Sequence, residues 1–256
     1  MLLGDYIKFR FKSTNAHGLH SPFMYNLATR CFYDKTKYDD YQKLKTYHQF
    51  LSRQNKTIKI NDLGAGSKKF QSDKRKIKDI ARISGSSLND MKIYYRLSKY
   101  FKPKNILELG TSLGKATYSL ALGNPQADII TVEGDKNLAG FSRSLFDKEK
   151  INAQVINQDF DSFLKSLNQT KKQFDLILID GNHRYQPTLN YFEKLQKHIH
   201  NDTIVLVDDI YWTDEMKQAW QKLKEHPSVR QSVDTFHFGM LFFRKQQFKQ
   251  NFMIRI

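Results

Sequence analysis

From Asn105 onward the chain alternates short apolar runs with longer amphipathic stretches, and few folds accept that pattern. The runs NILEL (105–109), DIITVE (128–133), AQVIN (153–157), DLILID (175–180) and TIVLVD (203–208) are rich in leucine and β-branched residues, as strands buried on both faces are. Between them KATYSLAL, NLAGFSRSLFDKEK, DSFLKSLN and PTLNYFEKLQKHIH carry helical spacing. Such alternation predicts a Rossmann-like, doubly wound α/β fold with a mostly parallel sheet. The end of the chain breaks the rhythm. After the helical TDEMKQAWQKLKEH, the segments SVRQSVDTF and FGMLFFRK read as two strands joined by a tight turn. They bring the sheet to seven strands and close it on a hairpin with one antiparallel member.

Residues 1–102 read differently. Helices are expected at 3–12, 22–32, 39–54, 73–83 and 87–101, with one strand in TIKIND. The sequence therefore predicts a mainly helical N-terminal extension (1–102) and a sheet domain (103–256), with a soft boundary near Lys102–Lys104. Charge follows the same division. Residues 1–100 hold 21 Lys and Arg against 8 Asp and Glu, which is +13 of the net +16. A basic half suits an anionic substrate, RNA or a membrane surface; a lysine-rich solvated surface explains it equally.

The single cysteine, Cys31, excludes an internal disulfide framework and fits a reducing compartment. MLLGDYIKFRFK carries charge too early for the apolar centre of a signal peptide. No run approaches the ~20 apolar residues needed to span a bilayer. The expectation is a soluble, cytoplasmic protein with no membrane partner.

Two stretches look like ligand turns: NDLGAGSKKF from Asn61 and LELGTSLGKA from Leu107. A glycine loop holds a ligand when a strand delivers it and a helix starts just after, so that free N–H groups face the ligand. The second stretch qualifies. Gly110 and Gly114 bracket its turn, an apolar helix follows, and the next strand ends in Glu133, placed to accept hydrogen bonds from ribose hydroxyls. The first does not, because the polar SKKFQSDKRK follows Gly64 and Gly66. It reads as a loop with Asp62 capping locally, or as a basic lid carrying Lys68, Lys69, Lys74, Arg75 and Lys76.

ILELGTSLGKATYSLAL resembles the first motif of class I S-adenosylmethionine-dependent methyltransferases. Its Glu-x-Gly-x-x-x-Gly form is similar to the catechol and caffeoyl-CoA O-methyltransferase branch over roughly 103–245, and HGLHSPF (17–23) with GAGS resembles uncharacterised bacterial relatives. The resemblance implies S-adenosyl-L-methionine as cofactor and a small-molecule hydroxyl as acceptor. It implies that Glu108, Gly110, Thr111, Ser112 and Gly114 line the methionine moiety, that Glu133 holds the ribose, and that Asp159 lies near the adenine. A capping role for Glu108, an ordinary strand-end acid at Glu133 and a helix N-cap at Asp159 are the structural alternatives.

FDLILIDGNHRY and IVLVDDIYW deliver Asp180, Asp208 and Asp209 to strand ends. Clustered carboxylates repel unless a cation or proton is shared, and oxygen ligands suit Mg2+, Ca2+ or Mn2+. The catechol branch holds a divalent metal with an Asp and an Asp-Asn pair at the matching positions; here Asp209 replaces the Asn. His183 stands where that branch carries a lysine base, and an imidazole titrates near neutrality. Asp180, which also counts among the cofactor-contacting residues by resemblance, is the other candidate base. Tyr211 and Trp212 would wall an acceptor pocket or join the core, and His17 and His20 serve a turn or a function. Alternative activities are methylation of RNA, a non-catalytic cofactor-binding partner, and, weakest for want of Gly-x-Gly-x-x-Gly, a dehydrogenase.

Overall fold

A computed structural model describes residues 3–60, 73–83 and 86–256. The described helices are α1 (Leu3–Lys12), α2 (Pro22–Leu27), α3 (Asp40–Arg53), α4 (Ile77–Ile83), α5 (Leu88–Phe101), α6 (Lys115–Gly123), α7 (Lys136–Glu149), α8 (Phe160–Leu167), α9 (Tyr185–Leu195) and α10 (Asp214–Glu225). The strands are β1 (Thr57–Lys59), β2 (Lys74–Lys76), β3 (Asn105–Leu109), β4 (Asp128–Glu133), β5 (Ala153–Asn157), β6 (Phe174–Ile179), β7 (Ile199–Asp208), β8 (Gln231–Asp234), β9 (Phe238–Phe242) and β10 (Gln250–Met253). Eight of them form one sheet in the order β10-β8-β9-β7-β6-β3-β4-β5, and β1 and β2 form a separate ribbon. This is the Rossmann-like architecture that the alternating pattern predicts, with one strand more than the seven expected. The extra strand is β10, which pairs in parallel with β8.

The chain divides into two compact units. The first comprises the chain up to Tyr33, Asn105–Leu107 and Asp161–Ile256; the second comprises Asp34–Lys104 and Glu108–Phe160. Residues 1–33 and 34–102 of the expected extension fall in different units. Strand β3 is shared, its first three residues in one unit and its last two in the other.

In the first unit β6 and β7 pair in parallel, while β9 runs antiparallel to both β7 and β8. One strand is therefore reversed, as the terminal hairpin pattern predicts. Leu176–Ile179 and Ile204–Val207 are buried on both faces, which explains their uninterrupted apolar composition. α1 lies against this unit through Tyr6 and Phe9, whose ring centroids are 5.0 and 5.4 Å from that of Phe236. Thr14 then bridges to Ile254, and the Tyr33 hydroxyl donates to the Arg255 carbonyl at 2.5 Å. HGLHSPF serves this entry. Ser21 caps α2, Pro22 takes its first turn, and His17 and His20 are exposed.

In the second unit β4 and β5 pair in parallel. α5 opens on a capping box between Ser87 and Asp90 and ends on Lys102 in the left-handed region (φ 49°), just before Pro103 forbids another turn. α5 and α6 approach closely because Gly123 has no side chain; a Cβ there would lie 2.3 Å from the Tyr95 carbonyl oxygen. Within 73–83 the expected helix starts only at Ile77. Lys74–Lys76 is instead a strand antiparallel to Thr57–Lys59, and Lys74, Arg75 and Lys76 are part of that ribbon. The turn-or-lid alternatives for Asp62, Gly64, Gly66, Lys68 and Lys69 lie outside the described residues.

Candidate functional site

The chain leaves β3 into a turn that only special residues can make. Gly110 (φ 113°), Ser112 (φ 47°) and Gly114 (φ 72°) all have positive φ within five residues. The turn is tied to β4 by the Gly110 and Thr111 N–H groups, which donate to the Val132 carbonyl at 2.9 and 3.3 Å. Gly114 N–H closes on the Thr111 carbonyl at 2.7 Å. Two side chains hold the turn from outside. The Tyr47 hydroxyl donates to the Leu113 carbonyl at 2.8 Å, and the Ser142 hydroxyl donates to the Ser112 carbonyl at 2.6 Å. Burial pushes the Tyr47 phenol well above its usual range, so it remains a donor.

Glu133 ends β4 with both carboxylate oxygens engaged. Ser112 N–H donates to one at 2.8 Å and Asp135 N–H to the other at 2.9 Å. Burial raises its pKa, and those backbone hydrogen bonds oppose the rise. Each oxygen keeps acceptor capacity for a further donor.

Glu108 is among the residues expected to line the methionine moiety. It is fully buried. The Thr117 and Thr131 hydroxyls both donate to its Oε2, and the Thr131 and Thr111 hydroxyls lie 2.6 Å apart. Its Oε1 is buried with no hydrogen-bond partner among the described residues. Burial lifts its pKa to about 7, with the two threonines pulling the other way. Asp159 is exposed, directly before α8.

Lys115 follows the turn and is buried. Its Nζ donates to the Ala81 and Ser86 carbonyls at 2.6 and 3.0 Å, and burial lowers its pKa to about 8. It fixes the start of α6 to the segments around α4 and α5. Sequence reasoning missed Tyr47, Ser142, Thr117, Thr131 and Lys115. Four of these five act through contacts more than twenty residues apart, which no local pattern encodes.

The first unit carries the second group of candidate residues. β6 delivers Asp180, and the turn through Asn182 (φ 58°) is held by the Asn182 amide donating to the Tyr191 hydroxyl at 2.8 Å. β7 ends at Asp208. Asp209 adopts φ 54° and begins a turn closed by Trp212 N–H donating to its carbonyl at 2.9 Å. Residues 210–212 are therefore loop, the condition under which consecutive aspartates can serve one site. His183 Nε2 lies 3.8 Å from Asp180 Oδ1 and 3.9 Å from Asp209 Oδ2. Burial lowers the His183 pKa, and the Asp208 charge opposes that shift.

The divalent cation expected at Asp180, Asp208 and Asp209 finds no support in this cluster. His183 Nε2 lies within 4 Å of both the Asp180 and the Asp209 carboxylates, and Asp208 Oδ1 accepts the Asp209 N–H at 3.0 Å. Among the described residues no group of three or more His, Cys, Asp or Glu side chains is arranged to hold a metal ion. Tyr211 belongs to the core of this unit, stacked on Phe236 with centroids 4.6 Å apart and donating to Asp234 at 3.0 Å. Trp212 is the exposed one of the pair.

Residues 107–210 match the family described as a methyltransferase domain. A catechol O-methyltransferase from Niastella koreensis is 27% identical over 128 residues, which is 48% of this chain and 57% of that protein. The chain thus spans little more than half the length of the curated relative it matches. Among solved structures, the SAH-bound methyltransferase PaMTH1 of Podospora anserina superposes with a TM-score of 0.61 at 16% identity, covering 89% of this chain and 97% of that one. The O-methyltransferase from Bacillus cereus in complex with SAH gives 0.56 at 17% identity, covering 84% and 99%. These likenesses establish a shared fold.

Proposed function

We propose that this chain is a class I S-adenosylmethionine-dependent methyltransferase of the catechol and caffeoyl-CoA branch that methylates a hydroxyl group on a small-molecule acceptor, a reading supported by the methyltransferase-domain match at 107–210 and by its similarity to a catechol O-methyltransferase. The observation that carries the reading is the clamp between Glu133 and the glycine turn. A strand-end carboxylate with acceptor capacity left beside a turn of positive-φ residues suits a ribose diol and its flanking groups. When bound, S-adenosylmethionine supplies an electrophilic methyl group on a sulfonium.

In this reading Glu133 accepts from the ribose hydroxyls, while Gly110, Thr111, Ser112 and Gly114 shape the backbone against the cofactor. Glu108 acts from below the turn. His183 is the acceptor's base. Its lowered pKa keeps the ring neutral and able to take a hydroxyl proton at Nε2. Asp180 and Asp209, each within 4 Å, then stabilise the imidazolium. The arrangement supports a proton transfer managed by the chain's own residues, and no step here requires Mg2+.

Glu133→Ala is expected to weaken S-adenosylmethionine binding by roughly 1–3 kcal/mol in calorimetry; an unchanged affinity would remove the ribose assignment. Incubation with the cofactor and a panel of hydroxylated acceptors, read by product mass, tests the rest. Methylation should persist in EDTA and fall about tenfold or more in His183→Asn. Loss of activity in EDTA, restored by Mg2+, would instead give the carboxylates a metal. Methylation confined to RNA in place of the small acceptors would transfer the reading to the basic N-terminal region.

A further inference from the structure

Helix α1 is apolar on two faces, and only one of them is used. Tyr6 and Phe9 pack on Phe236. On the outside, Leu3, Ile7 and Phe11 recur every fourth residue and are 75%, 46% and 87% exposed. That spacing aligns them in one stripe along the helix. Arg10 borders the stripe on one side and Lys8 and Lys12 lie on the other, all three exposed. The helix has one acid, Asp5, and it is turned away: its Oδ2 pairs with Lys217 Nζ at 2.7 Å. What α1 presents outward is therefore three apolar side chains bordered by cations, with no anion. Single exposed apolar residues need no explanation, but an aligned stripe marks a contact surface.

The same unit holds every other large apolar side chain exposed among the described residues: Tyr25, Trp212, Phe248 and Ile256. Phe248, 91% exposed, repeats the chemistry of α1, with Lys245 and Lys249 beside it in the chain and both exposed.

We propose that α1 is an interfacial anchor that lays Leu3, Ile7 and Phe11 into the surface of an anionic lipid bilayer. Charge complementarity selects this occupant. A second copy meeting the stripe about a two-fold axis would bring Lys8, Arg10 and Lys12 toward their own images. RNA phosphates would satisfy the cations and leave the apolar stripe in water. An anionic bilayer takes both, because the side chains enter the boundary between headgroups and acyl chains while Lys and Arg meet phosphate. Ten residues of helix span about 15 Å, enough to lie in the interface and too short to cross it. No described helix is long and apolar enough to cross a membrane, and the expectation of no membrane partner rested on that criterion, which does not bear on a helix lying flat.

The test is co-sedimentation of the full chain with vesicles of phosphatidylglycerol and phosphatidylcholine in equal parts, against vesicles of phosphatidylcholine alone. The chain should partition onto the anionic vesicles, and more weakly in high salt. Phe11→Ser should reduce partitioning by roughly tenfold, and the triple reversal Lys8→Glu, Arg10→Glu, Lys12→Glu should abolish it. Both variants change exposed groups, and circular dichroism checks that they remain folded. Equal retention of the wild type and Phe11→Ser would overturn the proposal, because charge alone would then explain binding. So would sedimentation velocity showing a dimer that Phe11→Ser dissolves, or RNA binding that depends on Phe11.

Discussion

Gly114→Ala is expected to destabilise the protein by about 2–5 kcal/mol. Two independent effects add. Gly114 has φ +72°, and an L-residue held in the left-handed region loses roughly 1–2 kcal/mol. A Cβ built there also falls 2.4 Å from Phe146 Cζ and 2.6 Å from Cε1, with the Tyr47 hydroxyl oxygen at 3.2 Å. Phe146 is buried at 1% exposure, so its ring cannot swing into solvent, and overpacking of this kind adds about 1–3 kcal/mol. Urea denaturation measures the sum, and a double-mutant cycle separates its parts. Phe146→Leu removes the obstructing ring atoms, so Gly114→Ala in that background should lose only the backbone contribution. An equal loss in both backgrounds would mean that the ring moves aside and the clash contributes nothing. Because Gly114 also caps the start of α6, the variant should bind S-adenosylmethionine more weakly even where it remains folded.

The turn was readable in the sequence because its requirements are local. A strand, two glycines and a helix in order leave few other structures, and the positive φ values fall on Gly110, Ser112 and Gly114. Buried strands were readable for the same reason, since short runs dominated by leucine and isoleucine, as in NILEL and DLILID, mark strands covered on both faces. β2 was not readable. Lys74-Arg75-Lys76 is one strand of a two-stranded ribbon and none of its own three side chains is buried, so hydrophobic periodicity carries no signal there. β10 was missed because an edge strand of four residues, QNFM, buries only Phe252. The acidic cluster was half readable. Asp180 and His183 announce themselves by spacing, but the left-handed turn at Asp209 that brings its carboxylate to His183 is a backbone property. Spacing alone does not bring Asp209 beside His183.

Glu108 makes stability depend on pH in a direction opposite to most carboxylates. Its pKa rises from 4.5 to about 7 in the folded chain, because the side chain is fully buried and Oε1 has no hydrogen-bond partner among the described residues. Between those two values the folded state binds more protons than the unfolded state, so stability falls as pH rises. The contribution is fully present below pH 4.5 and lost as pH passes 7, which amounts to about 3 kcal/mol at ~1.4 kcal/mol per unit. Glu108→Gln carries no titrating proton and keeps an oxygen to accept from Thr117 and Thr131. Groups remote from Glu108 titrate alike in both proteins and cancel, so the difference between their unfolding free energies reports Glu108 together with Glu133, whose charge is coupled to it. That difference should move by about 3 kcal/mol in favour of the variant between pH 4.5 and pH 7.5. A difference independent of pH would mean that Glu108 is ionised throughout, and that some cation or donor within reach of Oε1 compensates its burial.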